Sequence, residues 1–521
     1  MIARLRHWSR SPAFLLGLAA FLGAFVVQSG DLGSADSARR LQTTHSFWTP
    51  APPVLPQDYP EFGVHGRGGR LYAWYGIGQS LLMLPSDIVG TCLERLRMFD
   101  DYNGNDPSVR DIFVSSSVNI LLNVLTALVC FRFLLLLGFD MNQAVAGVLA
   151  LLFCTTHLHY TQNMMENNYI LFLTLTGFKF HRQWLLTCRR RDLLLGSGAF
   201  GLSLLTRLTV VLDLMAGGLF LLLILYLEGA RGSALRQRRF TFIQVALPVY
   251  SFFLLLDRLY QFYRFGSFFN TYVGVVARDQ RILKPALSPN YPFETPFRVG
   301  FLGPLITPEK SVFLFDPLLL LTIIVVALAW KYFRPEVKAY LISSLLLLLA
   351  YISFYAKYTV WSGDSAWGDR YVSTAVELAA FISVPLLLRY RERMQTWVLT
   401  VGFGLIVISA LIQSASLAFW LPLEIYQMTT LGHPTLVIAL RFQNIVAFEM
   451  GKMDKWGLTN SAMTKDTWDF VRITTWNFLP FVLRRVGEAP PWVVSTLLAI
   501  WSTAVAMLAW VLWQLRKLSH Y

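Results

Sequence analysis

The chain has 521 residues, of which 55% are hydrophobic and 15% charged, and its mean hydropathy is +0.49. This balance excludes a soluble enzyme and predicts an all-α polytopic membrane protein. The net charge of +14 does not indicate nucleic-acid binding, because lysine and arginine cluster in short loops between apolar runs, as in the cytoplasmic loops of membrane proteins. Four scattered cysteines predict no disulfide framework: Cys92, Cys130, Cys154 and Cys188.

The first apolar run, 13–28, follows Arg4, Arg6 and Arg10. It is therefore predicted to start in the cytoplasm and to end outside. A cleaved signal peptide is the alternative, because the run is short for a span. Two acidic and two basic residues follow at the expected water boundary: Asp31, Asp36, Arg39 and Arg40.

The polar stretch 31–110 contains a moderately apolar piece, 71–89, which is interrupted by glycine and proline and rich in Trp and Tyr. This composition predicts a helix at the membrane interface. Later apolar runs predict the other spans: 112–137, 143–156, 169–180, a hairpin over 193–227, 242–256, 312–330, 339–354, 372–388, 397–412 and 492–513. The total is about twelve spans, with the short basic loops and both termini on the cytoplasmic side.

The hairpin 193–227 must cross and return, because basic clusters flank it on both sides. Its first arm has only about 14 residues before Arg207, roughly 21 Å against a bilayer core of about 30 Å. Arg207 is therefore expected below the headgroups, with a partner or a watery cavity, unless it merely extends to the interface from a span end. The topology places seven charged residues at or near one external face: Asp31, Asp36, Glu166, Arg207, Lys357, Asp369 and Arg370.

The predicted organisation is a membrane core over 1–393, with external loops at 31–110 and 257–310. One further span follows at 394–414, then an external segment at 415–490, and the last span with a cytoplasmic tail at 491–521. No Walker loop and no HExxH or CxxC spacing occurs, so ATP-driven or zinc chemistry has no support. Carboxylates facing arginines suit group transfer from a phosphate: a carboxylate deprotonates an acceptor hydroxyl, and guanidinium groups hold the departing phosphate. Outside the cytoplasm, a sugar on a polyprenyl phosphate is the usual activated donor.

Four stretches resemble motifs of the GT-C superfamily of glycosyltransferases, in the bacterial branch related to protein O-mannosyltransferases and the lipid A aminoarabinose transferase. They are SADSARRLQTTHSFW, GRLYAWYGIGQSLLMLP, ITPEKSVFLFDPLLLL and WSGDSAWGDRYVS. With the order of the spans, they extend the resemblance over most of 1–393. The resemblance implies a GT-C-like fold and an inverting transfer of a sugar from a polyprenyl-phosphate donor to a glycan, lipid or protein hydroxyl. The expected location is the bacterial inner membrane, with an extracytoplasmic active site among membrane lipids.

By this resemblance, Asp36 is the first candidate for the base, Asp31 is the second, and Glu166 matches the second acidic position. Arg207 and Arg370 are the implied phosphate or sugar contacts. Four further residues are candidates for donor binding: Asp369, Arg39, Arg40 and Lys357. The chain departs from the family where Trp74-Tyr75-Gly76 replaces a lysine-proline element and where Asp364 replaces a glycine. The sequence leaves open whether a divalent metal takes part.

Other interpretations exist for the same residues. Asp36 could cap a helix, and Asp369 and Arg370 could form a local ion pair that orients their loop. A secondary transporter or flippase for a lipid-linked or anionic substrate would also place charges in a membrane cavity. A non-catalytic envelope assembly protein is the third functional alternative.

Overall fold

The computed structural model describes residues 11–96, 107–229, 232–429, 431–452, 475–486 and 489–518. Arg4, Arg6 and Arg10, which orient the first predicted span, lie outside these residues, as does part of the predicted external segment 415–490. Most of the described chain is helical. Its sheet is a short antiparallel pair, β1 (Val64–His65) and β2 (Leu71–Tyr72).

Two long helices of the first half, which begin at Val109 and Met141, have side-chain caps. Ser108 accepts a hydrogen bond from the backbone of Asp111 at 3.1 Å, and Asp140 and Gln143 form a capping box. In chain order these helices are α1 (Pro12–Val27), α2 (Ala35–His45), α3 (Gly78–Arg95), α4 (Val109–Leu136), α5 (Met141–Cys154), α6 (His157–Gln162), α7 (Glu166–Thr187), α8 (Arg190–Leu204), α9 (Val211–Leu227) and α10 (Gly232–Phe265).

The second half continues with α11 (Tyr272–Leu283), α12 (Phe297–Ile306), α13 (Val312–Phe315), α14 (Leu318–Ala329), α15 (Pro335–Tyr355), α16 (Ser373–Ala380), α17 (Ser383–Tyr390), α18 (Thr396–Ser416), α19 (Pro422–Thr429), α20 (Val437–Glu449), α21 (Leu479–Val486) and α22 (Pro491–Leu518). Single 3-10 turns occur at Pro56–Asp58, Arg67–Gly69, Leu208–Val210, Trp330–Tyr332 and Arg391–Arg393.

Seven helical segments of the described chain are long and apolar enough to cross a membrane: Val109–Leu136, Leu208–Leu227, Leu235–Phe265, Pro335–Tyr355, Ser373–Arg393, Thr396–Ser416 and Pro491–Leu518. Four shorter apolar helical segments accompany them: Pro12–Val27, Met141–Cys154, Phe297–Ile306 and Leu318–Tyr332. The chain is therefore a helical membrane protein, as its composition predicts. The total of about twelve spans and the domain boundaries stay predictions.

Several helices do not coincide with the predicted apolar runs. The predicted span 242–256 is part of α10, which runs to Phe265, so the predicted external loop 257–310 begins inside a helix. The run 169–180 likewise extends in α7 to Thr187. Both helices stop only where the backbone turns left-handed, at Gly266 (φ +72°) and Cys188 (φ +55°). The piece 71–89 contains β2 and becomes helical only at Gly78, and the run 372–388 is divided between α16 and α17.

Four aromatic side chains hold α4, α7, α9 and α15 together in the core. The rings of Phe133 and Tyr340 are 5.1 Å apart, and those of Phe178 and Phe220 are 5.3 Å apart, both pairs edge to face. Each such contact adds about 0.5–1.5 kcal/mol beyond the buried area. All four side chains are fully buried, so they fix the relative positions of the helices that carry site residues at their ends.

The two ends of the helical bundle differ in charge. Near the end of α7, Arg182 lies 3.2 Å from Glu228, which follows α9. Arg389, at the end of α17, donates to the carbonyl of Gly138 after α4 at 3.0 Å. Glu166 begins α7, whose 22 residues span about 33 Å at 1.5 Å per residue. Glu166 therefore lies at the end opposite these basic loops.

Candidate active site

Five charged side chains from four separate segments meet at this opposite end, and we call them the charged cluster: Asp36, Arg40, Glu166, Arg207 and Arg370. Arg370 Nη1 lies 2.7 Å from Asp36 Oδ2. Arg40 Nη1 lies 2.9 Å from Glu166 Oε2, and Arg207 Nη2 donates to Glu166 Oε1. The structure thus brings together five predicted site residues that are far apart in the sequence.

Helix α2 supplies Asp36 and Arg40. Its N-cap is Ser34, whose hydroxyl accepts from the backbone of Ser37 at 3.2 Å, so Asp36 is not needed as the cap. Asp36 lies in the first turn, where a carboxylate is favoured by the helix dipole. One helical turn separates Asp36 from Arg40, and this places both side chains on the same face, toward the cluster.

Glu166 begins α7 and is held between two guanidinium groups. Burial alone would raise the pKa of Glu166, but the charges of Arg40, Arg207 and Arg370 outweigh it and hold that pKa well below its usual range. Glu166 is therefore ionised at neutral pH. Arg207 occupies an extended break between α8 and α9 (φ −153°, ψ 126°), and Glu166 is the partner that its predicted position below the headgroups requires.

Arg370 comes from the loop between α15 and α16, residues 356–372, which we call the late loop. The ring of Tyr371 lies 5.3 Å from the guanidinium carbon of Arg370 and 5.5 Å from that of Arg207. Tyr371 in turn stacks on Tyr355 at 4.3 Å. Cation–π contacts of this kind hold guanidinium groups while leaving their N–H donors available.

Tyr75 joins the cluster but was missed from the sequence. Its hydroxyl donates to Asp36 Oδ1 at 2.5 Å, and the guanidinium carbon of Arg40 lies 4.3 Å from its ring. Burial and the Asp36 carboxylate raise the pKa of Tyr75 well above its usual value, so the phenol keeps its proton. A side chain added at Gly76 would lie 2.3 Å from the carbonyl oxygen of Leu205. Because Gly76 has no side chain, the backbone at Gly76 packs closely against Leu205, and this places Tyr75 beside the cluster.

Four other predicted residues make their main contacts elsewhere. Arg39 pairs with Asp58 at 2.5 Å, and Asp31 Oδ1 accepts from the backbone of Gly33 at 3.2 Å. Lys357 is exposed. Asp369 is buried, and its Oδ1 accepts from the backbone of Tyr371 at 3.0 Å, whereas the ion pair of Arg370 is with Asp36.

The cluster suits an anion better than a metal. Both of its carboxylates are paired with arginine, and among the described residues no group of three or more His, Cys, Asp or Glu is placed to hold a metal ion. Three guanidinium groups against two carboxylates leave a formal charge of +1. Arg40 Nε and Arg370 Nε are buried donors without a hydrogen-bond partner in the described part of the chain. Such donors fit the oxygens of a phosphate.

No known protein family matches the chain, and no curated protein is significantly similar to it. Among solved structures, it is similar to the crystal structure of the Archaeoglobus fulgidus oligosaccharyltransferase in the apo form, with a TM-score of 0.41 and 12% identity. The match covers 77% of this chain and 55% of that protein. The chain thus spans about half the length of that relative.

Proposed function

We propose that the chain is a membrane glycosyltransferase that moves a sugar from a polyprenyl-phosphate donor to an acceptor hydroxyl at the extracytoplasmic face. The observation that carries this proposal is the ion pair of Asp36 with Arg370 inside a cluster of net positive charge. A sugar phosphodiester carries one negative charge, which the formal charge of the cluster would neutralise. Three of the four sequence motifs give independent support, because they supply Asp36, Tyr75 and Arg370.

Asp36 is the general base in this mechanism. It takes the proton of the acceptor hydroxyl while the acceptor oxygen bonds to the anomeric carbon. The bond from that carbon to the phosphate oxygen breaks, and its electron pair leaves with the polyprenyl phosphate. This single displacement inverts the anomeric carbon. The phosphate competes with Asp36 for Arg370, so donor binding releases the carboxylate for its role.

Asp36 is more accessible to a reactant than Glu166 is. The side chains of Asp36 and Arg370 are 17% and 15% exposed, whereas those of Glu166 and Arg40 are 6% and 3% exposed. A reactant therefore reaches Asp36 first. Glu166, between Arg40 and Arg207, holds the two guanidinium groups in place for the phosphate.

Binding of undecaprenyl phosphate to the purified full-length chain tests donor recognition without knowledge of the sugar. We expect Arg370→Gln to weaken binding about tenfold or more, because it removes charge-assisted hydrogen bonds. Arg39→Gln is the matched control, since Arg39 pairs with Asp58 away from the cluster. Equal affinity of wild type and Arg370→Gln would contradict the proposal.

Asp36→Asn separates the enzyme from a transporter. Loss of a general base typically lowers turnover by about 10²–10⁴-fold. We expect cells that express only Asp36→Asn to lose one class of envelope glycoconjugate by mass spectrometry, while the purified variant still binds undecaprenyl phosphate. If deletion of the chain changes the glycan profile but Asp36→Asn leaves it unchanged, transport or assembly would be favoured instead.

A further inference from the structure

We propose that Lys310 is a positioning residue that holds Arg370 toward the donor phosphate by fixing the backbone of the late loop. This inference rests on the proposed function, because it assigns Arg370 to the phosphate. Lys310 lies in the turn between α12 and α13, outside the charged cluster, and is only 5% exposed.

All three N–H bonds of the Lys310 ammonium are used within the late loop. Lys310 Nζ donates to the carbonyl oxygens of Asp364 at 2.6 Å, Ala366 at 2.8 Å and Gly368 at 3.1 Å. An ammonium group has three donors and no acceptor, so these carbonyls satisfy it completely. One cation thus gathers three alternate peptide groups that would otherwise point away from one another.

This arrangement fixes the backbone that leads into Arg370. Gly368 precedes Arg370 by two residues, and Gly363 packs directly against it: a side chain added at Gly363 would lie 2.7 Å from Arg370 Cγ. Asp364, next to Gly363, has a positive φ of 58° that ordinary side chains rarely adopt. The hydrogen bonds from Lys310 hold this unfavourable turn, and the turn confines the side chain of Arg370.

Other contacts keep the late loop attached independently of Lys310. Trp367 is fully buried, stacked on His159 at 5.7 Å and in edge contact with Phe315 at 5.1 Å. Asn167 Nδ2 donates to the carbonyl of Arg370 at 2.6 Å. Loss of the Lys310 hydrogen bonds is therefore expected to loosen residues 363–370 without releasing the loop.

The test compares Lys310→Met with Lys310→Arg in the full-length chain. Methionine has a similar volume but no donor, whereas arginine keeps the charge and the donors on a larger side chain. If Lys310 positions the loop, Lys310→Met weakens undecaprenyl phosphate binding about tenfold or more, and Lys310→Arg retains more affinity. If Lys310 only fills space, the order is reversed. Lys284→Met, at an exposed lysine directly after α11, is the control.

Hydrogen–deuterium exchange over 361–373 reports on the loop without any ligand. Faster exchange there in Lys310→Met, with exchange elsewhere unchanged, is expected. Wild-type exchange and affinity in Lys310→Met would overturn the inference. A wild-type chain that does not bind undecaprenyl phosphate would overturn the proposed donor instead, and the exchange result alone would then decide whether Lys310 fixes the loop. Lys310→Gln serves the same comparison if Lys310→Met does not fold.

Discussion

Asp369 is a buried carboxyl group beside the cluster whose protonation is linked to the late loop. Burial raises the pKa of Asp369 to about 7, although Lys310 and Arg370 oppose this effect. Asp369 Oδ1 accepts from the backbone of Tyr371, and its Oδ2 has no hydrogen-bond partner in the described part of the chain. A proton on Oδ2 therefore removes a buried charge without breaking the bond to Tyr371.

We predict that the late loop becomes less stable as the pH rises from about 4 to 7. A carboxyl group with a raised pKa in the folded state binds more protons there than in the unfolded state, so stability falls through this window and is constant above it. The shift from about 4 to 7 corresponds to at most about 4 kcal/mol. Burial lowers the pKa of Lys310 to about 8, so the comparison stays below that pH. Exchange protection of residues 361–373, compared at pH 5 and pH 7, should decrease in wild type and stay constant in Asp369→Asn. Constant protection in wild type would contradict the prediction.

Site residues could be predicted from the sequence when they are charged and the predicted topology places them at the same face of the membrane. Asp36, Glu166, Arg207 and Arg370 are charges at the ends of apolar runs, where an unpaired ion is costly, so a common location was predictable. Tyr75 carries no such charge, and Lys310, although it lies just before the apolar run 312–330, was not among the predicted site residues. A tyrosine near a membrane span is usually an interface anchor, and a lysine in a loop is usually solvated. The contacts of Tyr75 and Lys310 depend on segments that are distant in the sequence, so only the structure shows them.

Among the elements of the site, the late loop depends most on backbone conformation. Gly363 has a φ of +75°, and its missing side chain leaves space for Arg370. Gly368 also has a positive φ of 69°. Asp364 has a positive φ of 58° as well, a conformation that aspartate tolerates better than most residues.

We predict that Gly363→Ala lowers the affinity for undecaprenyl phosphate about tenfold or more, because the new methyl group must displace Arg370 and strain the turn. The strain in the left-handed region alone costs roughly 1–2 kcal/mol. Asp364→Gly is the matched change in the same turn and should bind as wild type or better, since it relieves a positive φ. Equal binding by Gly363→Ala and wild type would show that Arg370 does not depend on this contact.

Helices were predicted correctly where basic residues flank an apolar run on both sides. They were not where only the change from apolar to polar composition indicates the end of the helix. The hairpin 193–227 was expected from its flanking basic clusters, and the structure has α8 and α9 with Arg207 between them. The ends of α7 and α10 were missed because no proline or glycine interrupts the chain between each predicted apolar run and the last residue of its helix. After an apolar run, the same residues can form a loop or continue the helix. The helix ends only where a residue adopts a left-handed backbone conformation.

For the whole molecule, the position of the short basic loops at one end of the bundle predicts its orientation in the membrane. Arg182 and Arg389 lie at the end where α7 and α17 finish, whereas Glu166, Arg207 and Arg370 lie at the other. Positively charged loops stay in the cytoplasm during insertion, so the cluster should face the outside. Asp36 and Arg370 would then meet lipid-linked sugars of the outer leaflet, and nucleotide sugars would not reach them.

Two cysteine positions test this orientation. Cys188 is exposed at the end of α7 beside Arg189, and Lys357 is exposed in the late loop at the cluster end. In a Cys92→Ser background, we predict that a membrane-impermeant maleimide labels Cys188 only after the cells are permeabilised. After Cys188→Ser is added, Lys357→Cys should react in intact cells, because positive loops retain the α7 end inside. Labelling of Cys188 alone in intact cells would place the cluster in the cytoplasm, where an external acceptor could not reach Asp36.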